Sequence, residues 1–490
     1  MRIFKCVLIV ICFLGTYVSS AFAVEGIKFD FHGKMFQVFG TTNNGLSLAG
    51  KHKSGPTDFF SYEGNLNSGG LDTKYLEFFN SVGTTFGLSK ARLRFEAQTE
   101  DKLAKFVYGL EVGTMFWGDK DKKFGLSGDG VTQESRFVYA EVKAVQNRIN
   151  HTIRAGLQPT KISNWVWSET AAGLTYHGKT NQCNWMIGWY RGDEDTTANS
   201  ADNNYFVFKT EGELTSDLNL GFFAIYENSG SETTSKVDPD GYTFTYLNNY
   251  DRINQYIGIT AKLTPKPFFA NVEFIYQFGD IDFVGDRVIT YDNKALGSET
   301  IAGGSNEEKD LDRGAYLLNV EAGLKMNDQL TLSFNSLYVS GDDNPHDQDV
   351  DNFDAIDVDV KVGMILFKDS LTASCDRFVS DAPYLLDKGL IHNAVMASYK
   401  PDKKHSFFSA IRYMSLAEDV IVDNKKESSI GTELDFKYAY KFNKYTILHF
   451  ESAVLIPGSA SDALVVEEKR QNGEDAETIF NIAAGIQFKF

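Results

Sequence analysis

Cysteine is scarce in this chain. Of four in 490 residues, Cys6 and Cys12 fall at the very start, and only Cys183 and Cys375 remain in the body. A single bridge between two residues so far apart is not a disulfide framework, although an oxidising compartment would allow it. Proline is also rare, at 9 residues, and after residue 18 no apolar run approaches the roughly 20 residues that a membrane-spanning helix needs. With a mean hydropathy of −0.26, helical membrane spans are excluded. Basic residues are in deficit, 48 against 66 acidic ones, for a net charge of −18, which excludes nucleic acid as a partner.

The N terminus holds the first positive signal. Arg2 and Lys5 precede an apolar run from Val7 to Leu14, and Ala21-Phe22-Ala23 supplies small residues for cleavage. This is the pattern of a secretory signal peptide, too short for a spanning anchor. Ile11 before Cys12 argues against lipid attachment, which wants a small residue there. Residues 1–23 are therefore expected to be removed, leaving residues 24–490 as one domain. Losing Arg2 and Lys5 takes the net charge from −18 to −20.

The whole chain has 42 Gly, 39 Phe and 23 Tyr, a balance that favours pleated, aromatic segments joined by flexible loops. Its main signal is alternation. Lys90, Arg92, Arg94, Glu96 and Gln98 share one face while Ala91, Leu93, Phe95 and Ala97 share the other, and no helix sorts residues with a period of two. The same dyad recurs from Arg252 to Lys262, with Ile253, Ile257, Ile259 and Ala261 on the apolar face. From Arg313 to Lys325 the apolar face is Gly314, Tyr316, Leu318, Val320, Ala322 and Leu324.

A soluble sandwich would also alternate, so segment length and loop rhythm decide. Several segments exceed ten residues, and tight polar turns alternate with long polar connections. Turns are expected at 99–103, 145–150, 178–182, 214–218, 263–267, 326–329, 399–404 and 441–444. Long connections are expected at 40–86, 118–131, 159–170, 191–203, 229–250, 280–311, 341–387, 417–427 and 458–476. This rhythm predicts an all-β fold: a transmembrane antiparallel β-barrel of roughly 18 strands with both termini in the periplasm and long extracellular loops. Residues 353–367 alternate weakly, so the 341–387 loop either holds its own hairpin or folds inward. Whether it plugs the pore stays open at this stage.

The last segment is the most specific. From Ile479 to the terminal Phe490, the set Phe480, Ile482, Ala484, Ile486, Phe488 and Phe490 occupies one face. Gly485, Phe488 and Phe490 resemble the terminal signal read by the outer-membrane barrel-assembly machinery. Ala483, where that signal usually carries a polar residue, departs from it.

In such a barrel the dyad assigns polar strand residues to the lumen. The expected pore-lining set is Arg92, Arg94, Glu96, Glu111, Arg154, Glu273, Glu321, Arg412, Glu433 and Asp435. Lys90, Lys105, Arg252, Lys262, Arg313, Lys325, Lys437 and Lys441 extend it, so the wall is basic and the acidity sits in the loops. Two readings of that wall stand side by side: a path for anions, and ion pairs that satisfy one another across neighbouring strands. Asp342, Asp343, Asp347, Asp349 and Asp351 lie close enough in sequence to collect a calcium ion, but without the spacing of an EF-hand loop; a solvated acidic loop is the simpler reading. His449 and Glu451 share a face, as an acid–base pair would, or as a hydrogen-bonded lumen pair would. No nucleophile with its base, metal cluster or phosphate loop stands out, so neither catalysis nor a cofactor is expected.

The stretch Ser429-Ile430-Gly431-Thr432-Glu433-Leu434-Asp435, continuing through Tyr440-Lys441 to Leu455-Ile456-Pro457-Gly458, resembles the last part of the alginate-export family of outer-membrane porins. The likeness covers about the last 65 residues; before them it is architectural only. It implies a monomeric eighteen-stranded barrel with an arginine-rich pore for a polyanion, but no pore arginine here can be matched one by one. The expectation is a Gram-negative outer-membrane porin, embedded in outer-membrane lipids, for passive diffusion of small hydrophilic or anionic solutes. The alternatives are an exporter of an acidic polysaccharide and a structural barrel or adhesin.

Overall fold

The computed structural model describes residues 26–43, 84–118, 133–146, 149–192, 203–231, 234–237, 243–246, 249–284, 288–293, 297–302, 311–343, 349–358, 360, 362–367, 371, 388–422, 425–464 and 476–490. The expected signal peptide, Asp347 and Cys375 lie outside these residues.

The wall is built from 18 antiparallel strands. They are Ile27–Thr42, Thr84–Thr99, Ala104–Phe116, Gln133–Gln146, Ile149–Pro159, Thr170–Lys179, Cys183–Arg191, Asn204–Thr215, Leu218–Ser231, Asn249–Leu263, Phe268–Val284, Leu311–Lys325, Leu330–Val339, Leu390–Tyr399, His405–Val422, Lys425–Lys441, Thr446–Pro457 and Ile479–Lys489. Each pairs with its neighbour in sequence, and the last pairs with the first, Lys34–Thr42 against Asn481–Lys489. Closure satisfies the backbone groups that an open edge would leave bare in lipid. All eight tight turns and eight of the nine long connections fall where the sequence placed them; at 417–427 the strands His405–Val422 and Lys425–Lys441 instead run on as a hairpin, with Val420–Val422 paired to Lys425–Glu427 beyond a register shift at Ser415. Four further strands, Thr234–Val237, Thr243–Tyr246, Val288–Asn293 and Gly297–Ala302, link two adjacent long connections into a small separate sheet.

The dyad sorts the faces as expected. Leu93, Phe95, Ile257, Leu318 and Ile482 point outward, and rings mark both ends of the outer surface. Phe29, Phe31, Phe106, Phe268, Tyr445 and Phe488 stand exposed near the short turns, with Phe39, Trp117, Trp189, Phe206 and Tyr316 near the long connections. Two such belts are where amphipathic rings meet the two water interfaces of a bilayer.

The terminal residue completes the seam. Phe490 N–H donates to Gly33 O at 3.0 Å, and Gly33 N–H donates to Phe490 O at 2.9 Å. The ring of Phe490 covers Gly33 so closely that a side chain there would overlap it. It also sits 5.4 Å from the Phe31 ring and 5.8 Å from that of Phe488, centre to centre. Phe488 and Phe490 both face outward, as expected, while Gly485 faces in beneath Leu371.

One expectation needs correction: the lumen face is not polar throughout. Toward the long-loop end it presents Tyr190, Tyr205, Val207, Phe223, Ile225, Tyr256, Ile275, Leu317, Leu337 and Val339, all buried. They are covered by two long connections that fold inward. One contributes Ile162, Val166 and Trp167; the other contributes Phe353, Ala355, Val358, Val360, Val362, Met364, Ile365, Leu366 and Phe367. The Trp167 ring packs 4.9 Å from Tyr190 and 4.8 Å from Tyr205, and Phe353 lies 6.4 Å from Tyr256. The weak alternation of 353–367 therefore marks an inward fold and not a separate hairpin. Among the described residues of this loop, only Asp349–Val350 forms a strand, parallel to Asp312–Arg313.

Candidate functional site: the lumen wall and its inward loops

The first five strands carry a linked set of charges. Arg92 and Glu111 are cross-strand partners, so their side chains leave the wall together. Glu111 is almost fully buried and holds three cations: Lys90, Arg92 at 2.5 Å and Arg136 at 2.8 Å. A second chain runs from Arg94 to Glu96 at 2.6 Å, on to Lys105 at 3.8 Å, and then to Glu141 at 3.7 Å. Glu141 also takes Arg154 at 2.6 Å and Lys143 at 3.0 Å. Arg94 nevertheless keeps 41% of its side chain exposed, Arg92 32% and Arg154 29%. A recess of about 360 Å³ lies between His32, Lys34, Arg92, Arg94 and Arg136, beside Phe137, whose ring covers Gly109. Among the described residues, none of either inward loop lines that recess.

On the opposite strands the charges serve the loops. Glu433 is fully buried, and its carboxylate accepts N–H donors from three consecutive residues: Met364, Ile365 at 2.9 Å and Leu366 at 3.2 Å. Glu451 accepts the Leu371 N–H at 2.7 Å, and Gln277 accepts that of Asp354 at 2.8 Å. Arg313 reaches the Asp354 carboxylate at 3.4 Å and Arg252 reaches it at 3.8 Å. The Ser163 hydroxyl donates to Glu273 at 2.7 Å, while Lys209 donates to the Lys161 and Ile162 carbonyls at 2.9 and 3.0 Å. The two loops also bond each other, Ser168 N–H to Asp357 O and Ile356 N–H to Val166 O, both at 2.9 Å.

The ten wall residues expected from the sequence all face inward, but they divide into groups. Arg92, Arg94, Glu96, Glu111 and Arg154 stand together on the basic side. Arg412 and Asp435 form a buried pair at 2.6 Å, with His392 3.3 Å from the same guanidinium. Glu433 and Glu273 hold loop groups, and Glu321 accepts the Asn271 amide at 3.0 Å. Glu451 is likewise engaged by the loop, through the Leu371 N–H. Of the aspartates considered for calcium, Asp342 is buried and Asp343 and Asp349 are exposed. No group of three metal-binding side chains stands together among the described residues. Cys183 is unbridged, its Sγ 3.3 Å from the Thr210 hydroxyl near a short turn.

Sequence reasoning missed Lys34, Arg136, Glu141 and Lys143. Arg136 follows from a register shift: between Gly109 and Leu110 the opposing strand slips from Phe137 to Ser135, and the extra residue, Arg136, turns inward. Strict alternation counted from Glu141 would put it in lipid.

A closed wall of evenly numbered antiparallel strands, short turns at one end and long connections at the other, a ringed apolar exterior and a charged interior define a transmembrane β-barrel of the bacterial outer-membrane type. No family profile and no curated protein matches the chain. Solved structures of similar outline include OccK11 (OpdR) of Pseudomonas aeruginosa, 8% identical with a TM-score of 0.44 over 94% of this chain and 96% of that one. OccD3 (OpdP) of the same organism is 8% identical with a TM-score of 0.45, over 94% and 91%. Salmonella typhi OmpF, in complex with daunomycin, is 11% identical with a TM-score of 0.40, over 95% and 98%. The alginate-export family is not among these matches, and the resemblance to it rests on the C-terminal stretch of the sequence alone.

Proposed function

We propose that the protein is a passive channel for small hydrophilic anions across the outer membrane, without covalent chemistry. The carrying observation is the excess of cations on the first five strands, six of them touched by solvent and one, Lys90, buried. Lys90, Arg92, Arg94, Lys105, Arg136, Lys143 and Arg154 share Glu96, Glu111 and Glu141. Even with Glu134 and Glu169 counted, the cluster is net positive. A low-dielectric wall focuses that charge into the lumen and lowers the barrier for anions. The barrel with Arg92 and Arg94 replaced by Gln tests the reading. In a salt gradient across a planar bilayer, wild-type reversal potentials should show anion preference, and the double variant should lose roughly half of it or more. A cation-selective wild type would overturn the proposal. Export of an acidic polysaccharide, favoured by the likeness of residues 429–458, would draw on the same cations; it predicts that long polyuronates block the anion current while short ones pass.

A further inference from the structure

The short-turn end carries a charge opposite to that of the chain. In the turns at 399–404 and 441–444 and on the final strand, Lys400, Lys403, Lys404, Lys441, Lys444 and Lys489 are all exposed, and Asp402 is the acid among them. That carboxylate is already engaged: one oxygen accepts the Lys404 and His405 N–H groups at 2.7 and 2.8 Å, and the other lies 3.9 Å from the His405 ring. The turns are tied sideways into one platform. Lys400 N–H donates to Gln329 O, Lys441 N–H to Lys404 O, and Lys489 N–H to Tyr445 O, each at 2.8 Å.

The platform adjoins the lipid-facing belt. Phe442 and Tyr445 are exposed, Tyr445 packs 6.5 Å from the outward Phe488, and Lys444 Nζ lies 5.2 Å over the Tyr445 ring. Lysines whose stems lie along rings at the membrane interface present their ammonium groups at headgroup height. We propose that this patch binds anionic phospholipid headgroups of the leaflet that surrounds the short-turn end. Charge complementarity and continuity with the aromatic belt favour a lipid surface over an acidic soluble protein, which would need no lipid-facing rings beside its lysines. The inference does not depend on what passes through the lumen.

The test uses the full barrel refolded into vesicles of equal phosphatidylglycerol and phosphatidylcholine, extracted in mild detergent, with retained lipid counted by mass spectrometry. Wild type should retain phosphatidylglycerol over phosphatidylcholine by roughly fivefold or more at low salt. The combined Lys400→Gln, Lys403→Gln, Lys404→Gln, Lys441→Gln and Lys444→Gln variant should retain the two equally while still shifting on gels when heated; the matching Arg variant should keep the preference. Should the Gln variant not fold, a salt titration of wild type gives the same test, since ~1 M salt should abolish most of the enrichment. Equal retention by wild type, as a protein dock would give, or a preference that survives the Gln set or the salt, overturns the proposal.

Discussion

At the residue scale the wall is governed by single carboxylates that serve several partners. Lys90 has no solvent exposure and Glu111 has 1%, so neither side chain can fall back on water. Removing one member of a buried pair typically costs about 3–5 kcal/mol, because the other stays behind uncompensated. Glu111→Ala should therefore lower the urea stability of the refolded barrel by several kcal/mol, and a change under about 1 kcal/mol would show that Lys90 finds another partner. Asp402 offers a gentler case. Backbone N–H donors from Lys404 and His405 hold its carboxyl below the usual carboxylate range. A depressed folded value means that its contribution to the turn is complete above the unfolded pKa of about 3.9 and disappears as pH falls through the folded one. The amide shifts of Lys404 and His405 should accordingly titrate below the ordinary aspartate range; titration at about 3.9 would contradict the turn geometry. The inward direction of Arg92 and Glu111 was legible from alternation. That Glu111 gathers three cations was not, because one of them, Arg136, arrives only through the register shift.

At the element scale the decisive feature is the loop that turns into the barrel. Its weak alternation was visible in the sequence, and so was a second clue: strand ends such as Tyr205-Phe206-Val207-Phe208 and Leu317-Leu318 are apolar on both faces, which a water-facing lumen would not require. What could not be read is the pin. Glu433 meets backbone N–H groups 67 to 69 residues away, and backbone donors carry no sequence signature. Glu433→Ala would leave three buried donors without their acceptor, at about 1–3 kcal/mol each. Residues 362–367 should then become sensitive to added protease in the reconstituted protein, with larger conductance fluctuations. Protection equal to wild type would mean that apolar packing of Met364, Ile365, Leu366 and Phe367 alone holds the segment. At the seam, Gly33→Leu should displace the Phe490 ring and reduce the yield of heat-modifiable barrel, as deleting Phe490 should; unchanged yield in both would detach the terminal residue from assembly.

At the scale of the whole molecule, charge is sorted along the axis. The long connections hold most of the acid, including Asp238, Asp240, Asp286, Glu307, Glu308 and Asp310, while the lumen cluster on the first five strands and the short-turn platform are basic. An anion entering from the long-loop side meets repulsion before it meets attraction; one entering from the short-turn side meets attraction first. Exposed loop charges act through water and are screened beyond about 8 Å at physiological salt, whereas partly buried wall charges are screened far less. The two effects therefore separate with ionic strength. At low salt the single-channel current should be asymmetric, with the smaller current at the polarity that drives anions inward from the long-loop side. As salt rises toward ~1 M, where the screening length is about 3 Å, the asymmetry should fade while anion preference persists, on the proposal that Arg92, Arg94 and Arg154 act on the solute at close range. An asymmetry that survives high salt would place its origin in the wall or the inward loops instead. Loss of selectivity together with the asymmetry would mean that the lumen cations are neutralised by their own carboxylates.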